Sequence, residues 1–161
     1  MERSLKSTAE KDAEKVFNTY KRQLISRLGH EALYGDTIEG VGRELFGANW
    51  QGVFHQGNFR AAKRPGGSYA IVNTSHSNRS PGFHWLGVYT SPAGVVYIWD
   101  SFGRPIQRIA SYMGKKIRKG YSIVGSDYDA QQRGSSQVCG PQSLAWLRVV
   151  MDHGIKFASL V

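Results

Sequence analysis

The single cysteine of this sequence, Cys139, is the residue best suited to nucleophilic chemistry. Pro141 follows it and suits the first position of a helix, where its missing N–H costs nothing. Leu144 and Leu147 then continue an apolar stripe at helical spacing as far as Gly154, a plausible stop. The sequence therefore predicts that Cys139 begins a helix, where unpaired N–H groups and the helix dipole favour a thiolate.

A nucleophilic thiol needs a base, and His84 with Asp100 is the candidate pair. They lie at the ends of two predicted strands that a short loop joins. A three-residue loop ending at Gly94, in the left-handed conformation, would pair Ser91 with Val95. In that register His84 and Asp100 lie diagonally on one face of the hairpin, where long side chains can touch. The carboxylate would then hold the imidazole in its useful tautomer.

Each of the three residues also has an ordinary structural explanation. A lone cysteine is most often a small buried apolar residue without chemistry. His84 would by itself be a satisfied strand histidine, and Asp100 a strand-end residue that leads into a turn. The combination of all three, with the hairpin pair upstream of a helix-start cysteine, favours a catalytic arrangement.

The oxyanion donor is expected shortly before the cysteine, in a loop of small polar residues. Gln132 lies seven residues before Cys139 and Gln131 lies eight before it. A glutamine amide can donate one N–H while the backbone N–H of Cys139 donates another. Gln137, two residues away, is badly placed to fold back over the same site.

The elements that position these residues alternate between helices and strands. A helix-period pattern predicts a long amphipathic helix over residues 4–28, which by default packs on the domain but could also bind a partner or form an added arm. Asp36 and Glu39 have the form of a capping box that opens a short helix ending near Gly47. A glycine-punctuated loop follows. Strands are predicted at 69–74, 83–89, 95–99 and 121–124, and a helix from Pro105 to Gly120.

The net charge of +9 is unevenly spread along the chain. Between Arg60 and Lys119 there are ten basic residues and one acid, Asp100. Such asymmetry points to a polyanion, with nucleic acid first, although a solvated basic face explains it equally well. The candidate DNA contacts are the basic residues of the helix after Pro105: Arg108, Lys115, Lys116, Arg118 and Lys119.

The composition excludes several classes of protein. A chain of 161 residues with 40% hydrophobic content forms one ordinary domain rather than a disordered segment. One cysteine leaves no internal disulfide and no zinc site built on several cysteines, and it fits a reducing compartment. No apolar run approaches membrane-spanning length, so we expect neither a signal peptide nor a membrane partner.

Several motifs together resemble the adenain-like cysteine proteases, the endopeptidases of adenoviruses. They are His-Trp in a strand, "WDSFG" at the end of the next strand, and Gln-x6-Cys-Gly. The upstream segment "IEGVGRELFGANWQGVFHQGNF" is similar to the family's N-terminal helix and substrate-cleft loop. The resemblance covers residues 37 to 153 approximately. More distantly, the chain is similar to SUMO- and ubiquitin-like-specific proteases.

The resemblance implies an α+β cysteine-protease fold, in which a small mixed sheet is flanked by helices and the nucleophile stands at a helix N-terminus. It leaves the first helix unexplained, so we expect the chain to divide into an N-terminal amphipathic helix or arm, residues 1–35, and a cysteine protease domain, residues 36–161. His84 would be the base, Asp100 its orienting acid, Cys139 the nucleophile and Gln132 the oxyanion donor. The acid is often glutamate in the family, and aspartate is closer to the deconjugating enzymes.

The function implied is a viral endopeptidase that cleaves virion precursor proteins at glycine-containing sites, in the virion and the host nucleus. DNA would act as a sequence-independent cofactor. The chemistry needs no other cofactor, and an activating peptide would bind without a covalent link, since no second cysteine is present. Two other functions stay open: a deconjugase for a ubiquitin-like modifier, and a basic nucleic-acid-binding virion protein with a relic triad.

Overall fold

The computed structural model describes residues 7–29, 35–74, 84–101, 119–125 and 139–161. Within these stretches, helices and strands follow one another along the chain. The helices are α1 (Thr8–Leu28), α2 (Gly35–Phe46), α3 (Cys139–His153) and α4 (Ile155–Ala158), with a 3₁₀ turn at Gly47–Asn49. The strands are β1 (Trp50–His55), β2 (Ser68–Asn73), β3 (Trp85–Thr90), β4 (Val95–Trp99) and β5 (Ser122–Gly125).

The strands form a single mixed sheet in the order β1-β2-β3-β4-β5. The central pairs β2–β3 and β3–β4 are antiparallel, whereas β1–β2 and β4–β5 are parallel. The helices flank this sheet. The predicted α+β class and the small mixed sheet are therefore confirmed for the described part of the chain.

The hairpin of β3 and β4 has the register that the sequence predicts. Ser91 donates its N–H to the carbonyl of Val95 at 2.8 Å, and Gly94 adopts a φ of 94°. Pairing then continues along the strands as far as Gly87 opposite Trp99. This register places even-numbered residues of both strands on one face of the sheet, because successive side chains alternate.

Strand β1 lies where we expect only a loop. Its burial does not alternate regularly, and its register with β2 shifts between Trp50 and Gly52. Gly52 has a φ of 124°, which residues other than glycine rarely adopt, so the strand is irregular at its start. Pattern analysis does not recognise a strand of this kind, because its sequence is rich in glycine and its aromatic residues do not alternate with polar ones.

Helix boundaries differ in small ways from those predicted. The helix expected to open at a capping box begins at Gly35, so Asp36 lies inside its first turn and is not the capping residue. Helix α3 begins at Cys139, two residues before Pro141, which the first turn tolerates. Gly154 follows α3 with a φ of 87°, in agreement with the predicted stop. The helix predicted after Pro105 lies outside the described residues.

Helix α1 is part of the core. Its first turn is capped by Ser7, whose hydroxyl accepts the N–H of Glu10 at 3.1 Å, and it ends at Gly29. Phe17 is fully buried and packs on Trp99 of β4, with ring centroids 5.5 Å apart. Packing on the domain, the default expectation for this helix, is what the structure shows.

Apolar residues cover both faces of the sheet. On the odd-numbered face, helices α1 and α3 pack on the strands, and Trp99 stacks on Trp146 of α3 at 6.0 Å. On the even-numbered face, Leu86, Val88 and Ile98 form a second cluster beneath Phe59. The helices of the described stretches include none that is both long and apolar enough to cross a bilayer.

Candidate active site

His84 and Asp100 form a buried pair at one end of the β3–β4 hairpin. His84 directly precedes β3 and Asp100 directly follows β4, so the hairpin register brings both to the even-numbered face. The Nε2 atom of His84 is hydrogen-bonded to Oδ1 of Asp100. The two residues are 3% and 1% exposed, respectively. The N–H of Thr74, at the end of β2, also donates to the carbonyl of His84 at 3.0 Å.

Cys139 lies beside this pair as the first residue of α3. Its side chain is buried, with 4% of the residue exposed. The backbone N–H of Trp85, the residue that follows His84, donates to the Cys139 sulfur at 3.4 Å. The structure therefore places the predicted nucleophile against the backbone of the residue that follows the predicted base, and it pairs that base with the predicted acid.

The surroundings of the thiol have opposing effects on its ionisation. Burial raises the pKa of the Cys139 thiol, and the negative charge of Asp100 raises it further. Backbone N–H groups of Trp85, Gly140 and Cys139 itself lower that pKa, because they donate hydrogen bonds that favour the thiolate. Burial is the largest effect, so the neutral thiol is favoured until a nearby base accepts its proton.

Helix α3 approaches strand β3 closely at Gly87. A Cβ atom at this position would lie 3.2 Å from the carbonyl oxygen of Ser143 and 3.4 Å from the Trp146 ring. One turn after Cys139, the hydroxyl of Ser143 donates to the carbonyl of Trp85 at 3.0 Å. The distance between Cys139 and β3 is thus set by Gly87 and by the buried Ser143.

Sequence reasoning missed three of these contributions: the Trp85 N–H, Gly87 and Ser143. Two of them have a signal in the sequence. An isolated glycine inside a strand pattern often marks a close backbone approach. A serine four residues after Cys139 lies on the same face of the helix. The donation by a backbone N–H leaves no mark on residue type, so the role of Trp85 could not be read from the sequence.

The other predicted site residues are mostly outside the described residues. These are the oxyanion candidates Gln131 and Gln132, with Gln137, and the basic residues Arg108, Lys115, Lys116 and Arg118. Lys119 is described and exposed, in a turn before β5. Ser122, three residues after Lys119, donates its N–H to the carbonyl of Gly94, so Lys119 lies near the hairpin-loop end of β4, away from Asp100.

A nucleophile at a helix start and a buried imidazole–carboxylate pair are the groups that acyl transfer needs. Within the described ranges, no three His, Cys, Asp or Glu side chains are grouped so that they could hold a metal ion. Comparisons of the chain with family models and with curated proteins give no match.

Proposed function

We propose that this protein is a cysteine endopeptidase in which Cys139 is the nucleophile, His84 the base and Asp100 the orienting acid. One observation carries the proposal. His84, which is buried and hydrogen-bonded to Asp100, immediately precedes Trp85, and the N–H of Trp85 is hydrogen-bonded to the only sulfhydryl of the protein. An isolated buried cysteine would not require a histidine–carboxylate pair as its neighbour.

The first half of the proposed reaction forms an acyl-enzyme. Because Nε2 of His84 faces Asp100, Nδ1 is the ring nitrogen that accepts the thiol proton. The Cys139 sulfur bonds to the substrate carbonyl carbon, and the negative charge passes to the carbonyl oxygen. The backbone N–H of Cys139 and the side-chain amide of Gln132 donate hydrogen bonds to that oxygen. The imidazolium then gives its proton to the leaving amine as the C–N bond breaks.

The second half releases the acyl group by hydrolysis. The neutral His84 removes a proton from a water molecule, whose oxygen bonds to the thioester carbon. The same donors stabilise the second tetrahedral intermediate. When the C–S bond breaks, the carboxylic acid product leaves and the proton returns from His84 to the Cys139 sulfur, which restores the resting thiol.

The substrate class is proposed from the family resemblance. It consists of viral precursor proteins with glycine near the cleaved bond, processed in the virion and the host nucleus. In the same proposal, an activating peptide binds non-covalently.

A polyanion-binding surface is proposed at the opposite end of the hairpin. Arg60 and Lys63 are exposed in the loop before β2, and Lys119 is exposed in the turn before β5. The ammonium of Lys63 lies 5.0 Å from the ring centroid of Tyr121, so the two basic segments adjoin. This proximity supports sequence-independent binding of DNA, since clustered cations release counterions when they meet phosphates.

The test of the proposed enzyme compares two kinds of substrate. The wild-type protein is incubated with peptides that contain Gly-Gly or Gly-x-Gly sites and, separately, with a SUMO-type fusion protein. Cleavage of the peptides by wild type and not by Cys139→Ala would support the endopeptidase. Cleavage of the fusion alone would replace it with the deconjugase, and no cleavage of either, with an alkylation-resistant thiol in the folded state, would favour the relic.

A further inference from the structure

Trp85 turns its backbone polar groups toward the side of the sheet on which β4 lies. The pairing of β3 with β4 ends at Gly87 opposite Trp99, so it stops two residues before Trp85 is reached. Ser91 donates its N–H across to β4, and in an antiparallel pair every second residue bonds toward the same side. Trp85 therefore directs both its N–H and its carbonyl toward the start of helix α3.

Two side chains of α3 bond to these backbone groups. The Cys139 sulfur accepts the Trp85 N–H at 3.4 Å, and the Ser143 hydroxyl donates to the Trp85 carbonyl at 3.0 Å. Because they are four residues apart, Cys139 and Ser143 lie on one face of the helix. Ser143 has no exposed surface, so water does not compete for its hydroxyl.

We propose that Ser143 is a positioning residue, whose hydroxyl fixes Trp85 so that its N–H stays directed at the Cys139 sulfur. A hydrogen bond to a charged acceptor is stronger than one to a neutral acceptor, so this donor favours the ionised sulfur over the thiol. The proposal deepens the proposed function and rests on it for any effect on turnover. Its effect on thiolate formation is independent of peptide cleavage.

The test measures how fast iodoacetamide alkylates Cys139 as a function of pH. In Ser143→Ala the inflection should move to higher pH by about half a unit to one unit, with a rate at pH 7 lower by about three- to tenfold. Ser143→Thr retains a hydroxyl and should keep the wild-type inflection. Because the alkylation rate does not depend on peptidase activity, failure of this proposal and failure of the proposed function give different results.

Ser68 provides a matched control. It is also fully buried, and its hydroxyl donates to the carbonyl of Ala62 at 2.9 Å. Ser68→Ala removes an equivalent hydrogen bond away from the cysteine, so it should leave the inflection unchanged. A wild-type inflection in Ser143→Ala would overturn the proposal, as would an equal shift in Ser68→Ala, since loss of any buried hydrogen bond would then suffice.

A second measurement needs no variant. In ¹⁵N-labelled wild type, the amide resonance of Trp85 should titrate with the same inflection as the alkylation rate. A resonance that is flat through that pH range would overturn the hydrogen bond on which the proposal depends. Ser143→Ala shows no cooperative thermal transition if it fails to fold. In that case the Trp85 resonance and the alkylation of Ser143→Thr test the proposal instead. A raised inflection in Ser143→Thr would contradict the role of the hydroxyl.

Discussion

At the scale of single residues, His84 and Asp100 are hydrogen-bonded to each other. Substitution of either residue should therefore lower the stability of the fold more than substitution of Cys139 does. Both members of the pair are buried, and removing one partner deprives the other of this hydrogen bond. Loss of one partner of a buried hydrogen bond leaves a polar group unsatisfied, which costs about 1–3 kcal/mol of stability. Cys139→Ala removes one sulfur and adds no polar group, so it separates chemistry from folding more cleanly.

Cys139→Ala and His84→Ala should each abolish peptide cleavage, by about 10⁶-fold in kcat, because nucleophile and base act as a unit. Asp100→Asn should cost less, about 10⁴-fold. Initial rates on a glycine-site peptide, with thermal unfolding in parallel, check the order. His153→Ala changes an exposed histidine at the end of α3 and should retain full activity. Substantial turnover by either of the first two variants would contradict the assignment.

The oxyanion donor is tested by two neighbouring glutamines. Gln132→Ala should lower kcat by about 10²-fold or more, as expected when one donor to the oxyanion is removed. Gln131→Ala should have a mild effect, since the resemblance places the donor seven residues before the cysteine. Steady-state kinetics of both variants check this expectation. A reversed ranking would move the role to Gln131, and two small, equal effects would mean that backbone N–H groups suffice.

The raised pKa of Cys139 predicts how stability depends on pH. The folded protein holds the thiol proton more tightly than the unfolded chain does, so the protonated thiol favours folding. This contribution to stability is fully present below the ordinary thiol pKa of 9.0. It is lost as pH rises above that value and through the pKa of the folded state. The melting temperature of wild type should therefore fall relative to that of Cys139→Ala as the pH rises above 9. Parallel curves for the two proteins would show that burial leaves the thiol unperturbed.

At the scale of secondary-structure elements, Gly87 controls the distance between β3 and α3. In Gly87→Ala the added methyl lies against the Ser143 carbonyl and the Trp146 ring, so the helix must shift by a few tenths of an ångström. We expect a loss of about 1–3 kcal/mol in stability, typical of an overpacked core, and lower kcat because Cys139 moves with its helix. Chemical denaturation and peptide kinetics measure the two effects.

Gly40 is the matched control for this substitution. It lies within α2, and a Cβ atom there would have no neighbour within 4 Å. Gly40→Ala should be neutral or stabilising by up to about 1 kcal/mol, since alanine favours a helix more than glycine does. If Gly87→Ala were equally well tolerated, the close approach of β3 and α3 would not set the position of the cysteine.

The elements also show which parts of the structure are predictable from sequence. The hairpin could be predicted down to its register because the turn residues and the alternation of side chains are local features. Strand β1 could not, because its parallel partner β2 and the irregularity at Gly52 depend on tertiary contacts. For the same reason the sequence indicates His84, Asp100 and Cys139 but not the Trp85 N–H that connects the hairpin to the helix.

At the scale of the whole molecule, the net charge of +9 and the adjoining basic segments predict salt-sensitive binding to DNA. A variant with Arg60, Lys63 and Lys119 changed to glutamine should bind a random duplex more weakly. The slope of log K against log salt should become shallower by about one for each phosphate that the variant no longer neutralises. Affinities measured at several salt concentrations give the slope.

A control variant removes the same number of charges elsewhere. Lys11, Lys15 and Arg22 are exposed on α1, so replacing them with glutamine lowers the net charge equally. That variant should retain most of the wild-type salt slope. Equal losses of affinity in both variants would mean that overall charge, rather than the hairpin-loop end of the sheet, attracts the polyanion. Binding indifferent to salt would contradict the proposal altogether.

The positions of the site residues along the chain also set the order in which the site is assembled. His84 and Asp100 are 16 residues apart and meet when one hairpin closes, an event of about 1–10 μs. Cys139 contacts Trp85 across 54 residues, and such a long loop closes later and at greater entropic cost. During synthesis the hairpin emerges before α3 exists. A growing chain therefore holds the proposed base and its acid without the proposed nucleophile, and all three are present only once α3 has been synthesised.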